Sequence, residues 1–182
     1  MRAFWRETEL SEAERDLLEE LLAAHHQAVF RGNISSITVG NAMGGSGDYC
    51  KAIAAGILTL GAMHAPIAQT MRLLSDEDPV ARAGEIINDN LLVPGWGNSF
   101  IKGEPDQMWA AVEGRIEAIS APMMQRIGYV TRYLHGIGKQ VYPNPSTYTA
   151  AAALILDIPE SVAPFLLIMG RLQGWTELTL RV

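Results

Sequence analysis

Helical periodicity between strong capping signals constrains the fold of this chain more than any other feature. Ser11 is followed three residues later by Glu14, which is the spacing of a helix capping box. Apolar residues then recur at helical spacing, at Leu17, Leu18, Leu21 and Leu22. The pattern predicts an α-helix over about residues 11–28, and Gly32 and Asn33 are expected to end it. Almost no segment alternates in polarity between turns, so the fold class expected is all-α.

Capping residues and prolines divide the rest of the chain into further predicted helices. Asp48 follows the glycine-rich segment 40–47, which is expected to be a loop that leads into a helix. Asp78 precedes a proline at the first helical position, and Ser146 is expected to cap the helix that follows it. The predicted helices cover about residues 48–60, 65–74, 78–90, 105–118, 121–134, 147–156 and, as a pair, 160–180.

Composition excludes several classes of protein. The chain has 182 residues, a formal net charge of -6 and a sequence pI near 5.2, with no cluster of basic residues. We therefore expect a chain that folds around its own core and binds no nucleic acid. The single cysteine, Cys50, cannot form an internal disulfide, which fits a reducing compartment. The longest apolar runs, 150–156 and 165–169, are too short to cross a membrane, and no secretion signal is visible. A soluble, cytoplasmic protein is expected.

Three separated motifs carry a family resemblance. They are Leu60 to His64 (Leu-Gly-Ala-Met-His), Val93 to Asn98 (Val-Pro-Gly-Trp-Gly-Asn) and Gly170 to Trp175 (Gly-Arg-Leu-Gln-Gly-Trp). Taken together and in this order, they resemble the C-terminal part of a citrate synthase. The resemblance implies a citrate-synthase-like multi-helical fold, with a small domain at residues 65–155. Residues 1–64 and 156–182 would then form a truncated large domain.

The resemblance also implies catalytic positions, and two of them have changed. His64 matches the histidine that stabilises the enol of acetyl-CoA. Asn98 stands where the family has a second histidine, and an amide can donate a hydrogen bond but cannot transfer a proton. Ser146 stands where the family has its aspartate base, so the ordinary base is missing. A replacement base would have to come from a residue such as Glu104 or Asp106.

For the binding positions the resemblance is mixed, and the coenzyme A side is better kept than the substrate side. Arg171 matches an arginine that binds a substrate carboxylate, and Asn144 belongs to the Pro-Asn turn of the substrate site. The coenzyme A side is implied at Gly95, Trp96, Gly97 and Lys139. From the residues alone, plain structural readings stay open for two of these positions. Arg171 could be a buried arginine paired with a helix carboxylate, and Lys139 could be a solvated loop lysine.

No metal site is predicted from the sequence. His25 and His26 are adjacent, so on a helix their side chains point about 100° apart, and no cysteine or carboxylate set completes a site. The glycines at 44–47 resemble a phosphate-binding loop, but no lysine follows them and no strand precedes them.

Two functions of different classes are compatible with these motifs. The first is an enzyme of the citrate synthase or citryl-CoA lyase type, an acyltransferase or lyase that makes or breaks a carbon–carbon bond next to an acyl-CoA thioester. The second is a non-catalytic relative that serves as a regulatory or assembly partner of a full-length enzyme. The expected ligands are a small carboxylate and coenzyme A or an acyl-CoA as substrate, without a metal. A homo-oligomer, a dimer or larger, is also expected.

Overall fold

The computed structural model describes residues 9–61, 65–98 and 101–181. Within these ranges the chain forms nine α-helices and one 3₁₀ helix, and no strand. The helices are α1 (Glu12–Val29), α2 (Ile34–Ser46), α3 (Tyr49–Leu58), α4 (Ile67–Ser75), α5 (Pro79–Asn88), the 3₁₀ helix (Gln107–Trp109), α6 (Ala110–Ile119), α7 (Ala121–Gly136), α8 (Pro145–Ile155) and α9 (Pro164–Thr179). The all-α prediction is confirmed for the described residues.

The predicted caps at the starts of three helices are present. At α1, the hydroxyl of Ser11 accepts from the backbone N–H of Glu14 at 3.3 Å, and the Glu14 carboxylate accepts from the backbone N–H of Ser11 at 2.7 Å. Asp48 caps α3 and Asp78 caps α5 through their side-chain oxygens. The sequence predicts these helix starts correctly because a capping side-chain oxygen accepts a hydrogen bond from a backbone N–H that the first turn of a helix leaves unpaired.

Helix α2 was not predicted, and it is the main error of the sequence analysis. Asn33 does not end α1; its side chain caps α2 by accepting from the backbone N–H of Ser36 at 3.0 Å. The segment 40–47 is the C-terminal half of α2 rather than a loop, and the left-handed Gly47 (φ 62°) ends the helix. Glycines are poor helix formers, but packing against α3 and α9 overrides that weak preference.

Other helix boundaries shift for local reasons. Asp106 caps the 3₁₀ turn, so α6 begins at residue 110 rather than near 105. Asn144, not Ser146, caps α8, since its side chain accepts from the backbone N–H of Ser146 at 2.8 Å. Helix α4 begins at residue 67, and the predicted pair over 160–180 is the single helix α9.

Helix α8 lies at the centre of the fold. Its residues from Ser146 to Ala153 are all buried, which is typical of a helix covered on every side. The four consecutive alanines at 150–153 keep its surface narrow, so neighbouring helices can approach closely. Helices α1, α4, α6 and α9 pack around it.

Helices α1 and α9 pack closely, and glycines on α9 make the contact possible. A Cβ atom added at Gly170 would lie 2.5 Å from the Cβ of His25 and 2.9 Å from the carbonyl oxygen of Leu22. A Cβ at Gly174 would lie 2.9 Å from the Cβ of Val29. All three distances are shorter than a real Cβ atom permits, so only glycine fits at these two positions at this helix separation.

Buried apolar side chains form two clusters. The larger one runs through α1 and α4 to α9, and the smaller one joins the end of α1 to α2, α3 and Trp175 of α9. The larger cluster contains buried residues from before residue 65, from 65–155 and from after residue 155. The division into a small domain and a truncated large domain stays a prediction. In the described ranges, no helix combines the length and apolar character needed to cross a membrane.

We predict that Gly170→Ala destabilises the fold by about 1–3 kcal/mol, because the added methyl group forces α1 and α9 apart. The matched control is Gly114→Ala on α6, where an added Cβ meets nothing within 4 Å. That control should stabilise the protein by roughly 0.5–1 kcal/mol, as expected for alanine in an exposed helix. Urea unfolding of both variants measures the difference. Equal effects of the two substitutions would contradict the close α1–α9 contact.

Candidate functional site

Two loops, residues 93–98 and 139–144, are joined by backbone and side-chain hydrogen bonds. The backbone N–H of Gly97 donates to the carbonyl of Tyr142, and the backbone N–H of Asn144 donates to the carbonyl of Gly95, both at 2.8 Å. The side-chain amide of Asn144 also donates to the carbonyl of Gly97 at 2.8 Å. Asn144 therefore holds the first loop at two points, as well as capping α8.

The glycines and the tryptophan of the first loop are required by this geometry. Gly95 (φ 88°) and Gly97 (φ 94°) adopt left-handed conformations that glycine tolerates best. A Cβ at Gly95 would lie 2.5 Å from the hydroxyl oxygen of Thr147. The Trp96 ring is buried, and its indole N–H donates to the hydroxyl of Thr131 at 2.9 Å. Gly95, Trp96, Gly97 and Asn144 are therefore brought together in one rigid unit.

A cleft of about 190 Å³ opens beside this unit. Its lining residues are Gly97, Asn98, Ile101, Lys102, Gly103, Glu104, Asp106 and residues 140–143. This volume is below the roughly 300–1,000 Å³ of most small-molecule sites, so it could take a part of a large ligand rather than the whole. Lys139 is exposed and directly precedes the segment 140–143 that forms one wall.

Asp106 at the edge of the cleft is already engaged. One of its carboxylate oxygens accepts from the Arg31 guanidinium at 2.8 Å and from the backbone N–H of Met108 at 3.1 Å. Asp106 therefore serves as a cap for the 3₁₀ helix and as an ion-pair partner of Arg31, which lies just after the end of α1. Glu104 is exposed.

Arg171 is a buried cation with incomplete hydrogen bonding. It is 9% exposed, and one terminal N–H donates to the hydroxyl of Ser35 at 2.9 Å. Its Nε–H is buried and has no hydrogen-bond partner among the described residues. Burial lowers the pKa of Arg171 to about 10, so the guanidinium stays charged at neutral pH. Across residues 9–61, 65–98 and 101–181, no carboxylate forms an ion pair with it.

His25 is close enough to Arg171 for their charges to interact, and Arg171, Ser35, His25 and Thr149 are here called the polar cluster. His25 is also incompletely bonded. Its Nε2 lies 2.8 Å from the hydroxyl oxygen of Thr149, and that hydroxyl donates its own proton to the carbonyl of Pro145 at 2.7 Å. Nε2 must therefore be the protonated nitrogen, and Nδ1 carries a lone pair. Nδ1 is buried, and none of the residues that the structure describes is its hydrogen-bond partner. Burial, and then the charge of Arg171, lowers the pKa of His25 well below 6.5.

The first turn of α8 connects the loop unit to this polar cluster. Asn144 caps the turn and clamps the first loop, whereas Thr149 is the partner of His25. Ser146, which stands where the family has its aspartate base, lies between Asn144 and Thr149 in the sequence and is buried. Lys139 is the first residue of the second clamped loop, and its carbonyl accepts from the backbone N–H of Val141 at 2.9 Å. No described contact joins Arg171 directly to either loop. His64, the predicted enol-stabilising residue, lies outside the described residues.

The inward orientation of His25 was not predicted, because the residue was considered only as a metal ligand. Leu17, Leu21 and His25 recur every four residues and so share the buried face of α1. That spacing was the signal that His25 points inwards. Among the described residues, no group of three or more His, Cys, Asp or Glu side chains could hold a metal ion. The absence of a metal stays a prediction.

Because the folded pKa of His25 is depressed, its contribution to stability is complete above pH 6.5, the pKa of an ordinary histidine, and decreases as the pH falls towards the folded pKa. We predict that the free energy of unfolding decreases below pH 6.5 by up to about 1.4 kcal/mol per pH unit from this residue. Subtracting the urea-unfolding pH profile of His25→Gln from that of the wild type measures this contribution. Parallel profiles would contradict a buried neutral His25.

Comparison with known proteins identifies the fold. No protein-family model matches the sequence, and no curated protein matches it. Solved structures do match. Citryl-CoA lyase from Hydrogenobacter thermophilus is 18% identical with a TM-score of 0.78, over 96% of this chain and 71% of that chain.

Two further matches span less of the other protein. ATP citrate lyase from Methanosaeta concilii, solved with (3S)-citryl-CoA, is 16% identical with a TM-score of 0.82, over 97% of this chain and 32% of that chain. Citrate synthase from Thermoplasma acidophilum, solved with carboxymethyl coenzyme A and oxaloacetate, is 18% identical with a TM-score of 0.76, over 94% of this chain and 49% of that chain. The chain thus has the all-α fold shared by citrate synthase and citryl-CoA lyase.

Proposed function

We propose that the chain binds a small carboxylate together with coenzyme A or an acyl-CoA, and that it makes or breaks a carbon–carbon bond next to the thioester. The catalytic set is degenerate relative to citrate synthase. The observation that carries the proposal is the buried Arg171, whose Nε–H has no partner and whose charge is balanced by no described carboxylate. Proteins with the same fold were solved with citryl-CoA, and with carboxymethyl coenzyme A and oxaloacetate.

The energetics of Arg171 favour a binding role over a structural one. An unpaired buried charge costs stability, because desolvation is not repaid by an opposite charge. A ligand carboxylate would repay that cost by accepting hydrogen bonds from the guanidinium in the geometry that arginine offers. The hydroxyl of Ser35 fixes the other edge of the guanidinium, and Ser35 in turn donates to the Asn33 side chain at 2.6 Å. The cap of α2 therefore orients Arg171 before a ligand arrives.

We assign the coenzyme A side to the clamped loops. Gly95, Trp96 and Gly97 form a rigid wall in which the backbone is already ordered, and preorganisation lowers the entropic cost of binding. The exposed Lys139 could approach a phosphate of coenzyme A as a mobile point charge. Both polar atoms of the Asn144 side chain bond the protein itself, which supports a role in holding this wall.

Catalytic roles follow from what the remaining side chains can do. His64 would donate a hydrogen bond to the enolate, and Asn98 at the cleft would donate its amide to a carbonyl or hydroxyl. Ser146 has no described neighbouring base and cannot remove a proton from carbon at neutral pH. We therefore expect ordinary citrate synthase turnover to be weak or absent.

We predict opposite effects of Arg171→Met on binding and stability. Removing a charge-assisted hydrogen bond of about 1.5–3 kcal/mol should weaken citrate binding roughly 10- to 100-fold. The same change removes an unpaired buried charge, so the free energy of unfolding without ligand should stay equal or rise. Isothermal titration calorimetry with citrate, oxaloacetate, acetyl-CoA and coenzyme A measures the first effect, and urea unfolding measures the second.

Lysine variants provide the controls for this prediction. Lys139→Ala should weaken only coenzyme A and acetyl-CoA, and more at low salt, because the interaction is that of exposed charges. Lys51→Ala removes the same charge from α3, where Lys51 pairs with Asp48 at 3.1 Å, and should leave all ligands unaffected. A bound ligand whose affinity is indifferent to both Arg171→Met and Lys139→Ala would overturn the proposed site.

The proposal includes a homo-oligomer. Apolar side chains are exposed on α2, α3 and α9, namely Ile34, Ile37, Ile57, Leu58, Phe165, Met169 and Leu172. Surfaces of this kind are usually covered by a partner. We predict that light scattering at micromolar concentration returns at least twice the chain mass of 19.8 kDa, and that Ile37→Glu lowers it. A wild-type particle of the single-chain mass would contradict this part of the proposal.

A further inference from the structure

We propose that Thr131 and His135 of helix α7 are positioning residues for the coenzyme A side of the site. They hold the two clamped loops, residues 93–98 and 139–144, in one arrangement without contacting the ligand themselves. The inference rests on the proposed function and specifies it, because it names the scaffold that keeps the wall of the cleft in its binding geometry.

The first loop is attached to α7 through Trp96. The indole N–H of Trp96 can only donate a hydrogen bond, and it donates to the hydroxyl of Thr131 at 2.9 Å. The single proton of that hydroxyl goes to the backbone carbonyl of Ile127 at 2.9 Å, so the Thr131 oxygen serves as the acceptor. The Trp96 ring is buried, and Thr131 therefore satisfies a polar group that would be costly to leave unpaired.

The second loop is attached to the same helix through His135. Nε2 of His135 lies 3.0 Å from the backbone carbonyl oxygen of Val141, which can only accept, so Nε2 carries the proton. The His135 ring also meets the Tyr142 ring edge-on, at a centroid distance of 4.8 Å and an interplanar angle of 70°. His135 thus holds this loop by one hydrogen bond and one aromatic contact.

The two attachment points lie one helical turn apart. Thr131 and His135 are four residues apart on α7, so their side chains share one face of the helix. The chain leaves this helix in a tight turn, in which the backbone N–H of Lys139 donates to the carbonyl of Leu134 at 2.9 Å. One short segment of helix therefore sets the positions of both loops.

The attachment points act on the cleft from outside it. Val141 and Tyr142 line the cleft, and so does Gly97 of the first loop. In the part of the chain that the structure describes, neither Thr131 nor His135 is a lining residue. Cutting either attachment leaves every lining side chain chemically unchanged but lets the wall move. Binding must then bear the entropic cost of ordering that wall.

Two substitutions cut the attachments, and each has a conservative counterpart. Thr131→Val removes the acceptor for the Trp96 indole N–H, whereas Thr131→Ser keeps a hydroxyl. His135→Leu removes the donor to the Val141 carbonyl, whereas His135→Gln can place an amide N–H near the position of Nε2. Gln125→Leu changes an exposed polar residue of the same helix to leucine and serves as the matched control.

Calorimetry on the full chain measures the affinity for coenzyme A and for citrate. We expect Thr131→Val and His135→Leu each to weaken coenzyme A binding about three- to tenfold, the loss of roughly one neutral hydrogen bond, and to leave citrate binding unchanged. The double variant should lose less than the product of the two factors, because both residues hold one unit. Thr131→Ser, His135→Gln and Gln125→Leu should bind coenzyme A as the wild type does.

Two further measurements distinguish positioning from a direct contact with the ligand. The loss in Thr131→Val and His135→Leu should be the same at low and high salt, whereas the loss in Lys139→Ala is larger at low salt. In the ligand-free protein, the backbone N–H groups of Gly97 and Asn144, which join the loops, should exchange faster in both variants. Urea unfolding checks that each variant is folded.

Several results would overturn this inference and leave the proposed function standing. Thr131→Val and His135→Leu could bind coenzyme A as tightly as the wild type, or could weaken coenzyme A and citrate by the same factor. A loss in Thr131→Ser equal to that in Thr131→Val would also contradict it, as would unchanged exchange of the loop amides. Wild-type protein that binds no coenzyme A would overturn both the inference and the assignment of the clamped loops.

Discussion

The close contact between α1 and α9 is the constraint on which the rest of the structure depends. Gly170 and Gly174 permit a helix separation at which a side chain at either of these two positions would collide with α1. This contact brings His25 of α1 beside the turn of α9 that carries Arg171. Helix α8 then packs against α1, and its Thr149 binds His25. The position of the polar cluster thus depends on glycine at positions 170 and 174.

The polar cluster and the clamped loops differ in how their hydrogen bonds are satisfied. In the loops, the carbonyls of Gly95 and Gly97 and the whole amide of Asn144 are engaged within the protein, which makes a rigid wall. In the cluster, His25 and Arg171 each keep one buried polar atom without a described partner, as do the indole N–H groups of Trp109 and Trp175. Of these groups only Arg171 carries a charge, and a fold selected for stability alone would replace it with an apolar side chain or pair it with a carboxylate. We interpret the unpaired guanidinium as binding capacity retained at a cost in stability.

Much of the fold could be predicted from local sequence, and the errors have physical causes. The helix caps at Ser11, Asp48 and Asp78 were predicted correctly because a cap depends only on residues within one helical turn. Helix α2 was missed because its glycines disfavour a helix locally and only tertiary packing stabilises it. The motif residues around Gly95 and Asn144 were recognisable, since such loops need glycine. The role of His25 depends on Thr149, which is 124 residues away in sequence, and no local pattern carries that information.

The central claim is that Arg171 is a carboxylate-binding group kept without a protein partner. The most direct test is a crystal structure of the chain with citrate and coenzyme A at a resolution that orients the citrate. We predict a citrate carboxylate oxygen within hydrogen-bond distance of Nε of Arg171. Citrate bound elsewhere, or an ion pair between Arg171 and a carboxylate of the protein itself, would contradict it.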